Sequence, residues 1–196
     1  MRKFIITYYQ KLKNNIDAIA TTDYNGKLID FPAGVEIAAQ LIIERTSIGN
    51  KLMFIGNGAS AAISSHMSTD FWKNGGMRAV AFNDSSLLTC IGNDYGYEFL
   101  FEKPVEMFAE SGDILIAISS SGSSVNILNG ADAARKKECR IITFSGFRAD
   151  NTLRNLGDIN FYVPADEYGP VEILHHSICH CILDCIVNKK KDLFNE

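Results

Sequence analysis

Five serines crowd one short stretch of the chain, ILIAISSSGSSVNIL over residues 114 to 128. Ser119, Ser120, Ser121, Ser123 and Ser124 stand where an apolar run stops, just before another apolar pattern begins. One hydroxyl is enough to cap a helix, because it satisfies a backbone N–H that has no partner in the first turn. The surplus predicts a ligand rich in acceptor oxygens, held at a turn whose N–H groups and helix dipole also favour an anion. A monophosphate fits, since hydroxyls and amides can satisfy its terminal oxygens without a lysine. A polar turn with spare serines is the competing reading of this loop taken alone. A second such turn, GNGAS over 56 to 60, has glycines for tight turning and Ser60 to cap a helix. The chain has no GxxxxGK[ST] and no GxGxxG, so a nucleotide cofactor is not expected.

The histidines are the second signal. There are four, His66 on the segment after GNGAS and His175, His176 and His180 near the end of the chain. His66 and Asp70 are four residues apart and share a helix face, as do Glu172, His176 and His180. One His/Asp pair at this spacing is usually a solvated surface pair. Two sets together predict a base, an acid and metal-ligating side chains around a phosphorylated substrate. This requires the last helix to cross to the serine loop in the same or a neighbouring subunit.

Parallel strands between helices would position these groups. KLMFIG (51 to 56), RAVAF (78 to 82), DILIAIS (113 to 119), RIITFSG (140 to 146) and INFYVP (159 to 164) are short apolar runs separated by helix-like sequence. That alternation predicts an α/β domain with a five-stranded parallel sheet covered on both faces, and ligands at the carboxyl ends of its strands. Amphipathic helices are expected over 1 to 20 and 32 to 48, and a final helix over 170 to 188. The first two offer more apolar surface than one domain covers, which predicts packing between subunits. Residues 1–50 are accordingly read as a helical segment for core and subunit packing, and 51–196 as the domain carrying the site.

Composition narrows the partners. The chain has 196 residues, and 19 Lys and Arg against 23 Asp and Glu give a net charge of −4. With no basic block, nucleic acid is not an expected ligand. No leader pattern opens the chain and no run is read as membrane-spanning, so a cytoplasmic protein is expected. Cys90, Cys139, Cys179, Cys181 and Cys185 are odd in number, form no CxxC pair and lie mostly in apolar sequence, which predicts reduced thiols, most of them in the core.

GNGASAAISSHMSTDF (56 to 71), NDSSLLTCIGNDYGYEFLF (83 to 101), GDILIAISSSGSSVNIL (112 to 128) and the segment from Glu172 to His180 resemble, in order and spacing, the phosphoheptose isomerases of the SIS-domain superfamily. The resemblance runs over roughly residues 35 to 190. It implies a flavodoxin-like sheet, a homotetramer with active sites between subunits, and interconversion of sedoheptulose 7-phosphate and an aldoheptose 7-phosphate. On this resemblance Ser119, Ser120, Ser121 and Ser124 cradle the phosphate, Asn57 and Ser60 face the sugar, and Asp94 lines the site. A glutamate and a histidine are the family's acid/base pair, and some members hold zinc with His, Glu, Gln and His. Those positions fall on His66, Asp70, Glu172 and His180, with Asp70 and His180 as the catalytic pair. Asp70 is one methylene shorter than the family's glutamate, and Glu172 replaces a glutamine with a charge. Zinc suits the set; manganese or iron would fit too.

Two other readings belong to the same superfamily. One is a non-catalytic protein that binds a phosphosugar or a partner such as a replication initiator. The other is a sugar-phosphate sensor module. Retention of Asp70 and His180 favours the enzyme over the first. The second normally accompanies a further domain, for which this chain has no room.

Overall fold

The computed structural model of the chain describes residues 1–194, the last three by backbone alone. All five expected strands form: β3 (Leu52–Gly56), β4 (Ala79–Ala81), β5 (Ile114–Ser119), β6 (Arg140–Ser145) and β7 (Ile159–Tyr162). They pair in parallel in the order β7-β6-β5-β3-β4.

The sheet has seven strands rather than five. β1 (Ala20–Asp23) runs antiparallel along β7, with Thr21 opposite Phe161, and β2 (Leu28–Ile29) pairs with β1. Both are too short for their alternation to register as a period. The turn between them was the available sign: Asp23 Oδ1 accepts from the N–H groups of Asn25 and Lys27, and Gly26 takes φ +75°. The sheet therefore draws two strands from within residues 1–50.

Among the described residues, seven α-helices accompany the strands: α1 (Arg2–Asp17), α2 (Phe31–Ser47), α3 (Ala59–Lys73), α4 (Ser85–Asp94), α5 (Glu102–Phe108), α6 (Val125–Lys136) and α7 (Tyr168–Phe194). Because side chains alternate across a strand, the three central strands β3, β5 and β6 each feed two cores. Leu52, Phe54, Ile114, Ile116 and Phe144 pack with α2, α3 and α7. Met53, Ile55, Leu115, Ala117 and Ile141 pack with α5 and α6.

Over Tyr168–Lys191, α7 is long and apolar enough to cross a membrane, at mean hydropathy 1.2, which the sequence reading did not register. Half of that stretch is buried inside the protein, where Val171, Leu174, Ile178, Ile182 and Ile186 face the sheet. Its apolarity is that of a core helix. α1 buries none of its residues and leaves Phe4, Ile5, Ile6 and Tyr9 more than half exposed. Cys139 and Cys179 are buried, whereas Cys90, Cys181 and Cys185 are exposed, contrary to their expected apolar surroundings.

Candidate functional site

β5 ends at Ser119 and α6 begins at Val125, so the serines occupy one tight turn at a strand's carboxyl end. Ser119 Oγ accepts from the Gly122 N–H at 3.2 Å and lies 3.3 Å from Ser124 Oγ, while Ser121 Oγ accepts from the Ser123 N–H at 3.3 Å. Gly122 sits at φ +62°, and a Cβ there would collide with Asn151 Oδ1. Only glycine permits this turn. The end of β3 is also closely approached: a Cβ on Gly56 would fall 2.5 Å from the Ser60 carbonyl oxygen.

A cavity of about 250 Å³ lies between the two loops and the start of α7. Ser119, Ser120, Ser121 and Ser124 line it with Asn57 and Ser60, and Tyr168 and Glu172 close it from α7. Residues at the starts of α3, α6 and α7 all face this space, and helix N-termini favour an anion. A wider cavity of about 700 Å³ shares Asn57 and Ser124 and is lined further by Tyr97, Glu98 and Asn126. Asn57 stands between the two. Its amide pairs head to tail with that of Asn126, 2.9 Å in each direction, and its Oδ1 also accepts from the Tyr97 hydroxyl at 3.2 Å.

Further along α3 and α7 the histidines meet. The ring centroids of His66, His176 and His180 lie 4.6 to 5.4 Å apart, and one nitrogen from each ring lies within 4.8 Å of the other two. Asp70 Oδ2 is 3.3 Å from His66 Nε2. Burial, then the neighbouring His180 and His66, lower the His176 pKa below the usual imidazole value, against the pull of Asp70. His175, next in sequence, faces the opposite way: fully buried, it donates from Nε2 to the Ser145 carbonyl at 3.0 Å, and burial pushes its pKa down to about 4. It is a neutral brace between α7 and β6.

The predicted residues thus fall into two adjoining groups. The serines, Asn57, Ser60 and Glu172 surround the smaller cavity. His66, Asp70 and His180 gather beside it with His176. Asp94 stands apart, exposed at the end of α4, where its carboxylate meets Asn93 Nδ2 at 2.8 Å. Sequence reasoning did not identify Asn126, Tyr97 or Tyr168. It placed His176 on the right helix face, midway between Glu172 and His180, but left it out of the metal-ligating set.

The donors fit a divalent metal. Three imidazoles converge, and His176 Nε2 is shut off from solvent with no hydrogen-bond partner among the described residues. An ion at the centre would satisfy that nitrogen.

A serine turn ending a central parallel strand, with helix N-termini around it, defines an SIS-type α/β fold, and residues 7–146 match the SIS domain family. Full-length relatives narrow this. The phosphoheptose isomerase of Helicobacter hepaticus is 36% identical over 166 residues, covering 82% of this chain and 84% of that protein. That of Aliarcobacter butzleri is 37% identical over 158 residues, covering 76% and 83%. This chain belongs to the phosphoheptose isomerase family. Among solved structures, the phosphoheptose isomerase of Neisseria gonorrhoeae superposes with a TM-score of 0.81 at 27% identity, covering 94% of this chain and 98% of that one. That of Francisella tularensis gives 0.83 at 26% identity, covering 96% and 98%.

Proposed function

We propose that this chain is an aldose/ketose isomerase that converts sedoheptulose 7-phosphate to D-glycero-D-manno-heptose 7-phosphate, or a stereoisomer of it, for bacterial surface polysaccharide. The observation that supports this most is the adjacency of the serine cavity and the imidazole and carboxylate cluster, in a chain of this family. The distances suit a seven-carbon substrate. Glu172 lines the phosphate cavity, and His176 and His180 follow one and two turns later, at about 6 and 12 Å along the helix. An extended heptose 7-phosphate spans about 10 Å from phosphorus to C1.

In this reading the serine hydroxyls and helix N-termini hold the phosphate, leaving C1 and C2 at the cluster. A base removes a proton from C1 of the ketose to give an enediol. An acid then returns a proton to C2 as the O1 proton passes to O2, which yields the aldose without any redox step. Asp70 and His180 share these two roles, and Glu172 and Tyr168 shield the cavity. A divalent metal, when bound, supplies positive charge that polarises the carbonyl. Zinc is the metal we assign, with His66 and His180 among its ligands.

We further assign a homotetramer, supported by the exposed apolar side of α1, and a cytoplasmic location, supported by five free thiols. Native mass spectrometry of the whole chain tests the first, and a monomer alone refutes it.

The activity is tested by incubating the purified protein with sedoheptulose 7-phosphate in D₂O and following the sugar by NMR. Aldose product with deuterium incorporation is expected. Binding without exchange or product would replace the isomerase by the non-catalytic reading.

A further inference from the structure

We propose that the metal centre of this chain is a three-histidine set, His66, His176 and His180, with Glu172 outside it at the phosphate cavity. By helical spacing alone, Glu172 and His176 are equivalent candidates, two turns and one turn before His180 on the same face of α7. The structure separates them. Glu172 lines the cavity formed by the serine turn. His176 turns its ring to 4.6 Å from that of His180 and 5.2 Å from that of His66. One nitrogen from each of these rings comes within 4.8 Å of the other two, a grouping that Glu172 does not join.

The state of His176 is the second observation. Its Nε2 is closed to solvent and has no hydrogen-bond partner among the described residues. A ring nitrogen left so is costly unless something accepts its lone pair or its proton. A cation at the junction of the three rings does so.

Three imidazoles with no fourth side chain resemble the ligand sets that leave a coordination position open. They also define the ion by class. Neutral nitrogen donors select borderline transition metals such as Zn²⁺, Co²⁺ and Ni²⁺ over Mg²⁺ or Mn²⁺, which favour carboxylate oxygen. Asp70, 3.3 Å from His66, keeps its carboxylate for proton transfer and for orienting that ring.

This inference rests on the isomerase reading for its chemistry but not for its test, which needs no substrate. Chelator-stripped whole protein is titrated with Zn²⁺ against a chromophoric competitor, and with Co²⁺ by visible absorption, as wild type, H176A, H176Q and E172A. Circular dichroism confirms that each is folded. Both His176 variants are expected to weaken Zn²⁺ binding at least tenfold, on the order of a lost metal-site partner, and to alter the Co²⁺ spectrum. E172A, which leaves no ligand atom at that position, should leave both within about twofold, well short of such a loss. Loss of binding in E172A equal to or greater than that in H176A overturns the assignment, as does a wild type that binds neither ion. Should the His176 variants fail to fold, electron paramagnetic resonance of Cu²⁺-loaded wild type decides, with coupling to three imidazole nitrogens expected and to two refuting. Tight three-histidine binding in a protein inert toward heptose phosphates would remove the isomerase reading and leave this one intact.

Discussion

The side-chain amides of Asn57 and Asn126 meet head to tail, each Nδ2 donating to the other's Oδ1 at 2.9 Å. The pair ties the loop after β3 to the first turn of α6, and so fixes the two walls of the serine-lined cavity relative to each other. Asn126 is only 2% exposed, so its amide has little water to fall back on. Asn126→Asp would set a carboxylate oxygen against the Asn57 carbonyl oxygen and lose one donor, a cost of about 1 to 3 kcal/mol. The expected result is a lower melting temperature and a KM for the sugar phosphate raised about tenfold, with kcat changed less. Unaltered KM in a folded variant would remove the positioning role.

The serine turn makes a separate prediction. Ser121→Ala with Ser124→Ala removes two hydroxyls from the cavity wall and should weaken binding of a sugar phosphate by about 1 to 3 kcal/mol, read by calorimetry. Gly122→Ala leaves every hydroxyl present but forces a Cβ into Asn151, whose amide donates to Ser145 Oγ, the Gly146 carbonyl and the Arg148 carbonyl. It should weaken phosphate binding and stability together, whereas the double serine variant should leave stability nearly unchanged.

The parallel strands and the serine turn were legible because their signals are local. An unbroken apolar run of five or six residues needs only itself to be recognised, and five hydroxyls in six positions stand out against any background. The β1–β2 hairpin was not legible because two residues of β2 give no period, and its Asp23-Tyr24-Asn25-Gly26 turn competes with the strong helical pattern on both sides. The Asn57–Asn126 pair joins residues 69 apart, and no spacing rule connects them. Tyr97 reaches Asn57 from a single 3-10 turn, which has no sequence signature of its own. His176 lay in plain sight at the right spacing. What was missing was the direction of its ring, which depends on how α7 packs beside α3.

Acid should destabilise the fold at the end of the sheet opposite the site. Burial raises the Asp113 pKa, but the Lys51 N–H and ammonium and the Glu110 N–H outweigh it and hold the carboxyl below its usual value. Asp158 is likewise lowered against its burial, by the Ile141 N–H and by Arg140 and Arg135. A carboxyl whose folded pKa lies below its unfolded one contributes stability that is full above about pH 4 and is lost as pH falls through the folded value. Stability to urea should therefore be flat near neutrality and fall below about pH 4. Asp113→Asn should remove part of that acid slope. It should also cost on the order of 3 kcal/mol at pH 7, because it leaves the largely buried Lys51 ammonium without its Asp113 partner. A variant with wild-type stability at pH 7 would show that the pair is dispensable.

Asp70 and His180 decide whether the site is catalytic. Asp70 is one turn from His66 on α3, partly buried, with its carboxylate already 3.3 Å from the imidazole. In the proposed reaction it is therefore already oriented, but an aspartate holds its oxygens about 1.5 Å further back than the family's glutamate would, a distance that matters for proton transfer. Asp70→Asn keeps shape and removes the base, and turnover should fall at least about 100-fold with binding retained. Asp70→Glu restores the longer reach and should keep or raise turnover. A large loss there would mean that the site has adapted to the shorter side chain. His180→Ala should also cost about 100-fold or more while circular dichroism stays unchanged, because the ring is half-buried at the cluster's edge and does not belong to the apolar core. Since His180 is also a metal ligand in the three-histidine assignment, its variant is assayed at metal concentrations that saturate it. A loss that metal excess reverses assigns His180 to holding the ion, and a loss that persists assigns it to moving the proton between C1 and C2.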